Sequence, residues 1–253
     1  MSKKRMMLPK PTLNFILSSF KQTGYTEMAP FFNSLQALLH SKERFLILMG
    51  LIMAMLVLGP ILEQLVAIRI LIDIFLTAIV ISMLIIVTHK KIMSQIGWLF
   101  AITMLITLWL KYFFNYDIFA ATSMMVGVLF TIVVTIYTLA FIIKSEIVTR
   151  EVIYAAMVVY LLVAQLWALV YTFLDLIDSA SFNLPQGQSD FLLFEYYSFV
   201  TLTTLGYGDI TPLTKVAKTF SVLEAVVGQL YLVVVVAWFV GMHVSRKSSN
   251  SNK

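Results

Sequence analysis

The sequence predicts an all-α membrane protein with six transmembrane helices. Of its 253 residues, 60% are apolar and 12% are charged, whereas soluble domains contain about 45–50% apolar and about 25% charged residues. The mean hydropathy is +0.92. Such a chain has too few charges to cover the surface of a soluble fold, so most of it is expected to lie in a bilayer.

Six segments are long and apolar enough to cross a hydrocarbon core of about 30 Å, for which a helix needs about 20 residues. They are Phe45–Leu62, Ile70–Val87, Ile96–Phe114, Ile118–Ile143, Val152–Leu174 and Val216–Val240. A seventh apolar stretch, Phe191–Leu205, is too short and too rich in threonine, tyrosine and glycine to span. It lies between the last two spans, where a re-entrant loop is expected to be buried in protein or to line a watery cavity.

Basic residues are distributed unevenly about these spans. With six spans, the N-terminal segment and residues 88–95, 144–151 and 241–253 share one side, which holds 14 of the 18 lysines and arginines. By the positive-inside rule both termini are cytoplasmic. Small size, short loops and the absence of cysteine favour a prokaryotic inner (plasma) membrane.

The residue inventory excludes several classes of protein. The chain has no cysteine, and therefore no disulfide framework, no cysteine-ligated metal and no thiol nucleophile. It has three histidines and no serine or acid cluster at catalytic spacing, so neither an enzyme nor a cofactor is expected. The net charge of +5 has a topological origin and does not indicate a nucleic-acid partner.

The first 44 residues are expected to form a cytoplasmic segment. They lack the small-residue cleavage site of a signal peptide. Apolar residues recur at helical spacing within Phe31–Phe45. This pattern predicts either an amphipathic helix on the inner membrane surface or a helical lead-in to the first span.

The segment Thr201–Pro212, TLTTLGYGDITP, carries the most specific pattern in the chain. In a soluble protein it would indicate a strand that enters a glycine-rich turn. Between two membrane spans it instead resembles the selectivity-filter signature of the potassium-channel pore-loop superfamily, of the prokaryotic six-helix type without an arginine voltage sensor. The resemblance covers about residues 152–246. It implies a re-entrant pore helix and filter between the fifth and sixth helices, with four identical chains around one pore.

The filter residues implied by the resemblance are Thr204, Leu205, Gly206, Tyr207 and Gly208. A stack of backbone carbonyl oxygens can replace the water around K⁺, and K⁺ is expected at the first four of these residues. Alternate glycines can adopt positive φ, which lets neighbouring carbonyl groups face one axis. Leu205 replaces the more usual valine, but the filter uses its carbonyl. The Tyr207 ring is expected to point away from the pore and brace the filter.

The resemblance also implies filter support. Phe191–Thr203 would be the pore helix, whose C-terminal carbonyl groups favour a cation. Tyr196 and Tyr197 stand where the family often has tryptophan, and Tyr197 is expected to bond Asp209 behind the filter. Val200 stands where some members have a glutamate, so no carboxyl pair is expected to brace the filter.

The last helix has three further candidate features. Gly228 lies where inner helices of the family often bend, or else it allows close helix packing. Glu224 is an ionisable residue within the membrane and so a functional candidate, or else it bonds the back of the pore helix. Val236 and Val240 recur with Val244 every four residues; they form an apolar gate or only pack.

The preceding helices match the family only in number. Residues 45–143 form a sensor-like domain, residues 144–246 the pore domain and residues 247–253 a short cytoplasmic tail. One charge that crosses the membrane field yields only about 2.3 kcal/mol per 100 mV, so voltage sensing needs several arginines. The fourth span has neither lysine nor arginine, and Arg69 and Asp73, four residues apart, are expected to pair locally.

The sequence therefore predicts a potassium-selective channel subunit that is not conventionally voltage-gated. Its partners are K⁺, the lipid bilayer and three identical chains. Two alternatives stay open: a poorly selective cation channel, and a non-conducting membrane sensor with a vestigial pore.

Overall fold

The computed structural model describes residues 43–63, 68–88, 91–110, 117–184 and 190–251. The chain divides into two units, residues 1–41 and 42–253. The first unit lies outside the described residues, and so does most of the predicted amphipathic segment Phe31–Phe45. The side chain of Arg69 is also outside them, so its predicted pairing with Asp73 stays a prediction.

The described residues form seven helices and one short pair of strands. The helices are α1 (Arg44–Glu63), α2 (Ile68–Val87), α3 (Lys91–Leu110), α4 (Asp117–Ile143), α5 (Arg150–Ile177), α6 (Phe191–Leu202) and α7 (Lys215–Ser251). The strands β1 (Phe182–Asn183) and β2 (Thr211–Pro212) are antiparallel, with Phe182 opposite Pro212 and Asn183 opposite Thr211.

Three helices are long and apolar enough to cross a membrane, within the residues described: Ala121–Ile143, Arg150–Ile177 and Lys215–Met242. The described apolar parts of the first three helices are shorter, namely Arg44–Gly59, Ile72–Val87 and Ser94–Leu110. The chain is thus an α-helical membrane protein, and the count of six spans stays a prediction. Helix α7 continues to Ser251, through most of the predicted tail.

Helices α1 to α5 share one apolar core. Phe45, Leu48 and Ile52 of α1 are fully buried, and so are Phe130 of α4 and Leu162 of α5. Because lipid tails are as apolar as these side chains, the packing is stabilised by van der Waals contact more than by the hydrophobic effect. Helix α4 packs along α5, to which residues 144–149 join it directly.

Helix α6 starts at a defined cap and is too short to cross a bilayer. The side chain of Asp190 accepts a hydrogen bond from the backbone N–H of Phe191 at 2.7 Å, and its negative charge suits a helix N-terminus. Its 12 residues span roughly 18 Å at about 1.5 Å per residue. The helix ends at Leu202, two residues before Thr204, the first residue of the predicted filter.

A second core holds this region in place. Aromatic rings from three elements meet there: Tyr171 of α5, Phe182 of β1, and Phe194 and Tyr197 of α6. Ring centroids lie 5.1 Å apart between Tyr171 and Tyr197 and also between Phe182 and Phe194. Their edge-to-face geometry is the favourable one for aromatic pairs. The core fixes α6 between α5 and the segment that follows the filter.

Candidate functional site

The backbone after α6 has an alternating conformation. Thr204, Gly206 and Gly208 have φ values of 59°, 59° and 80°, and the residues between them keep negative φ. In an ordinary strand, successive carbonyl groups point to opposite sides. A left-handed residue at every second position reverses alternate peptide planes and lets the carbonyl groups face one side. Both glycines thus have the positive φ predicted for them.

Thr204, a predicted filter residue, has a backbone conformation that the sequence did not predict. It is the one non-glycine residue with positive φ in the described part of the chain, and positive φ in a β-branched residue is strained by about 1–3 kcal/mol. Its hydroxyl oxygen accepts a hydrogen bond from Nε2 of Gln229 on α7 at 3.3 Å. No sequence signal marks a threonine for this conformation.

Hydrogen bonds from the end of α6 hold the strained segment. The carbonyl oxygen of Val200 accepts from the N–H groups of Leu205 and Gly206 at 2.9 and 3.3 Å. The carbonyl of Thr201 accepts from the N–H of Thr204 at 2.9 Å. The last turn of α6 therefore positions residues 204–206 directly. Two of the C-terminal carbonyl groups that were predicted to favour a cation accept hydrogen bonds from the chain itself.

Two side chains of the predicted filter are exposed within a single chain. Leu205 is 56% and Tyr207 67% exposed. The predicted bracing of the filter by the Tyr207 ring is therefore not provided by its own chain.

The hydrogen bond to Asp209 comes from a different tyrosine than predicted. Tyr196 donates its hydroxyl to Oδ2 of Asp209 at 2.7 Å, whereas Tyr197 lies 2.7 Å from Oγ of Ser221 on α7. The prediction for Tyr197 was wrong because neighbours on a helix face directions about 100° apart. Burial, together with the bond to Asp209, raises the pKa of Tyr196 to about 12, so Tyr196 is a neutral donor at ordinary pH.

Glu224 lies behind the pore helix and is fully buried. Its Oε1 contacts Oγ of Ser198 on α6, and its Oε2 accepts a hydrogen bond from the Tyr171 hydroxyl on α5 at 2.5 Å. Glu224 therefore links α5, α6 and α7. This agrees with the prediction that it bonds the back of the pore helix.

A second buried carboxyl group, Glu195, escaped the sequence analysis. It is 1% exposed, and its Oε1 accepts a hydrogen bond from Nε2 of Gln165 on α5. The available signals were a glutamate in an otherwise apolar short helix and a glutamine within the fifth span. Val200 offers no carboxyl group that could pair with Asp209, whereas Glu195 bonds α6 to α5.

Gly228 allows α7 to approach the end of the pore helix. A Cβ atom there would lie 2.8 Å from Cδ1 of Leu202 and closer still to the Leu202 carbonyl oxygen. Helix α7 runs through this residue without interruption. Of the two predictions for Gly228, a helix bend or close helix packing, the structure shows close packing.

Val236 and Val240 lie on an exposed part of α7, 60% and 57% exposed. One chain does not bring them together into a constriction. Among the described residues, no group of three histidine, cysteine or acidic side chains is placed to hold a metal ion. The backbone oxygens of residues 204–208 therefore stay the predicted ligands for a cation.

Comparison with known proteins adds one finding. Residues 147–244 match the family model described as an ion channel, a range that includes the pore helix, the alternating segment and the apolar part of α7. No curated protein and no solved structure matches the chain.

Proposed function

We propose that the chain is a subunit of a potassium-selective channel that conducts passively and catalyses no reaction. The match of residues 147–244 to the family model described as an ion channel supports this proposal. The observation that carries the proposal is the left-handed conformation of Thr204, Gly206 and Gly208 within the sequence TLGYG. This alternation lets the carbonyl groups of a short segment form a row of ligands. Rows of this kind replace the hydration shell of K⁺ in selectivity filters.

The proposed ion ligands are backbone oxygens of Thr204, Leu205, Gly206 and Tyr207, joined by the Thr204 hydroxyl at the inner mouth. Val200 and Thr201 hold this row through their hydrogen bonds to residues 204–206. Asp209, bonded to Tyr196, stabilises the outer end. No cofactor other than K⁺ itself is needed.

A conducting pore requires four copies in this proposal, since one chain provides only one side of each carbonyl ring. The exposure of Leu205 and Tyr207 supports this arrangement. So does α7, whose apolar side chains are widely exposed, with Val222 at 63% and Val233 at 65%. Neighbouring copies would cover part of this surface, brace the Tyr207 ring and bring the Val236 and Val240 side chains together.

We place the tetramer in a prokaryotic inner membrane with six spans per chain and both termini in the cytoplasm. The support is the distribution of basic residues. Gating by a conventional voltage sensor is not part of the proposal, because α4 contains neither lysine nor arginine.

The test uses the full chain, purified and reconstituted into lipid vesicles. Native mass spectrometry is expected to give a mass of four copies of 28.7 kDa, and the vesicles are expected to show K⁺ flux that Ba²⁺ blocks. The Gly208→Ala variant is the control for leak. Only monomers and dimers, or the same flux in the variant, would refute the proposal; the second result would favour a non-conducting membrane sensor.

A further inference from the structure

Ser198 faces two oxygen atoms at once. Its Oγ lies 2.8 Å from the backbone carbonyl oxygen of Ala164 on α5 and also contacts Oε1 of Glu224 on α7. Both side chains are fully buried, at 0% exposed. The site lies in the interior of the helix packing, behind the pore helix.

Counting hydrogens assigns the proton in this site. A serine hydroxyl has one hydrogen to donate, and a backbone carbonyl can only accept. The contact with Ala164 therefore uses the serine hydrogen, since two acceptor oxygens without a hydrogen between them repel each other. The contact with Glu224 then needs a hydrogen from the carboxyl group. Tyr171 already donates to Oε2 at 2.5 Å, so the carboxyl hydrogen belongs on Oε1.

We propose that Glu224 is a proton-binding site: its carboxyl group carries a proton on Oε1 and donates a hydrogen bond to Oγ of Ser198, so that a neutral acid joins α7 to α6. A neutral acid also avoids the large cost of an unpaired carboxylate in a buried site within the membrane.

The charged and titratable neighbours are consistent with this form. Tyr160 and Tyr171 of α5 and Tyr197 of α6 interact with Glu224. A salt bridge joins Arg44 and Glu151. Among the described residues, no basic side chain pairs with Glu224. A carboxylate at this position would therefore have hydroxyl donors but no counter-charge.

Glu195 is a natural control for this argument. Its Oε1 contacts Nε2 of Gln165, and a side-chain amide nitrogen is a donor. This contact is complete without a proton on the carboxyl group. The two buried glutamates of the site therefore differ in whether their observed contact requires a proton.

Loss of the Glu224 proton has a consequence for the filter, and this part rests on the proposed function. Without it, one serine hydrogen faces two acceptors, so the bond from Ser198 to either α5 or α7 is lost. Ser198 lies two residues before Val200, whose carbonyl holds the N–H groups of Leu205 and Gly206. Glu224 is thus a positioning residue whose protonation is expected to sustain the conducting filter.

Infrared spectroscopy of the full chain in lipid vesicles tests the proton directly. At neutral pH the wild type is expected to show the C=O stretching band of a protonated carboxylic acid. Glu224→Gln is expected to remove the part of this band that Glu224 contributes, and Glu195→Gln to leave that part in place. A wild-type spectrum that differs from Glu224→Gln only by carboxylate bands would overturn the proposal.

A second variant, Ser198→Ala, removes the oxygen that accepts the hydrogen bond and keeps the carboxyl group of Glu224. The band is expected to move to higher frequency, because the C=O bond stiffens as the hydrogen bond is lost. A band that does not move would overturn the assigned link to Ser198.

K⁺ flux measured as a function of pH tests whether protonation of Glu224 sustains the conducting filter. Wild-type K⁺ flux is expected to fall several-fold over the pH range in which the band disappears, and flux of Glu224→Gln is expected not to vary over that range. The same pH profile in both proteins would overturn the consequence. If neither protein conducts at any pH, the proposed function fails, and the infrared result still decides the protonation of Glu224.

Discussion

Arg44, at the start of α1, bonds Glu151 in the first turn of α5, with 3.0 Å between Nη2 and Oε1. The guanidinium carbon also lies 4.9 Å from the centre of the Phe45 ring and 5.5 Å from that of Phe141 on α4. This is the geometry of a cation–π contact. The pair therefore joins the start of α1 to the start of α5.

Glu151→Gln is expected to destabilise the protein. Arg44 is largely buried, and two of its nitrogens, Nε and Nη1, have no hydrogen-bond partner among the described residues. Removing the charge of Glu151 leaves the guanidinium without its counter-ion, at a cost of about 1.5–3 kcal/mol. The measurement is the midpoint temperature of unfolding in detergent. The control is Glu146→Gln, an exposed position in the same segment; an equal effect of both variants would contradict this account.

Gly206→Ala and Gly208→Ala are expected to abolish selectivity while the protein still inserts. Neither Cβ would meet an atom within 4 Å in the chain, so the effect comes from the backbone. A Cβ disfavours the left-handed conformation by about 1–2 kcal/mol per residue. Single-channel recording in mixed K⁺ and Na⁺ makes the measurement.

Gly50→Ala is the matched control for these two variants. Its Cβ also meets nothing within 4 Å, but the residue lies in α1 and has negative φ. It is expected to behave as the wild type. Selectivity that survives both filter substitutions would show that positive φ is not needed there.

Gly228→Ala is expected to lower stability by about 1–3 kcal/mol, the usual cost of overpacking. The new methyl group would push α7 away from Leu202 at the end of the pore helix. Gly241→Ala, on the same helix with open space around its Cβ, is the control. Thermal unfolding compares the two, and a neutral result at Gly228 would argue for a bend there in place of close packing.

Tyr196→Phe and Tyr197→Phe make the same chemical change at neighbouring positions. The first removes the bond to Asp209, beside the filter, and the second removes the contact with Ser221, behind it. Tyr196→Phe is therefore expected to shorten single-channel openings, and Tyr197→Phe to act more on thermal stability. If Tyr197→Phe shortened openings more, the assignment of Tyr196 as the filter support would be wrong.

The sequence was sufficient for features that depend on local composition. Apolar runs placed α4 and α5 to within three residues of their observed ends, and the glycine spacing marked positive φ at residues 206 and 208. The same kind of local signal marked the apolar stretch that begins at Phe191 as too short to span, and α6 begins at that residue.

Features that depend on direction or on distant partners were not accessible. Nothing local distinguishes Tyr196 from Tyr197, because the rotation of α6 is set by the aromatic core with Tyr171 and Phe182. The positive φ of Thr204 depends on bonds to the last turn of α6. The Arg44–Glu151 pair joins residues 107 positions apart. In each case, tertiary packing selects among conformations that the sequence leaves equivalent.

The reversal potential shows whether the segment from Thr204 to Gly208 selects K⁺ over Na⁺. The full chain in a planar bilayer is recorded with K⁺ high on one side and Na⁺ replacing it on the other. The account predicts a reversal potential close to the K⁺ equilibrium potential. A reversal potential near zero would contradict it and would indicate a poorly selective cation channel.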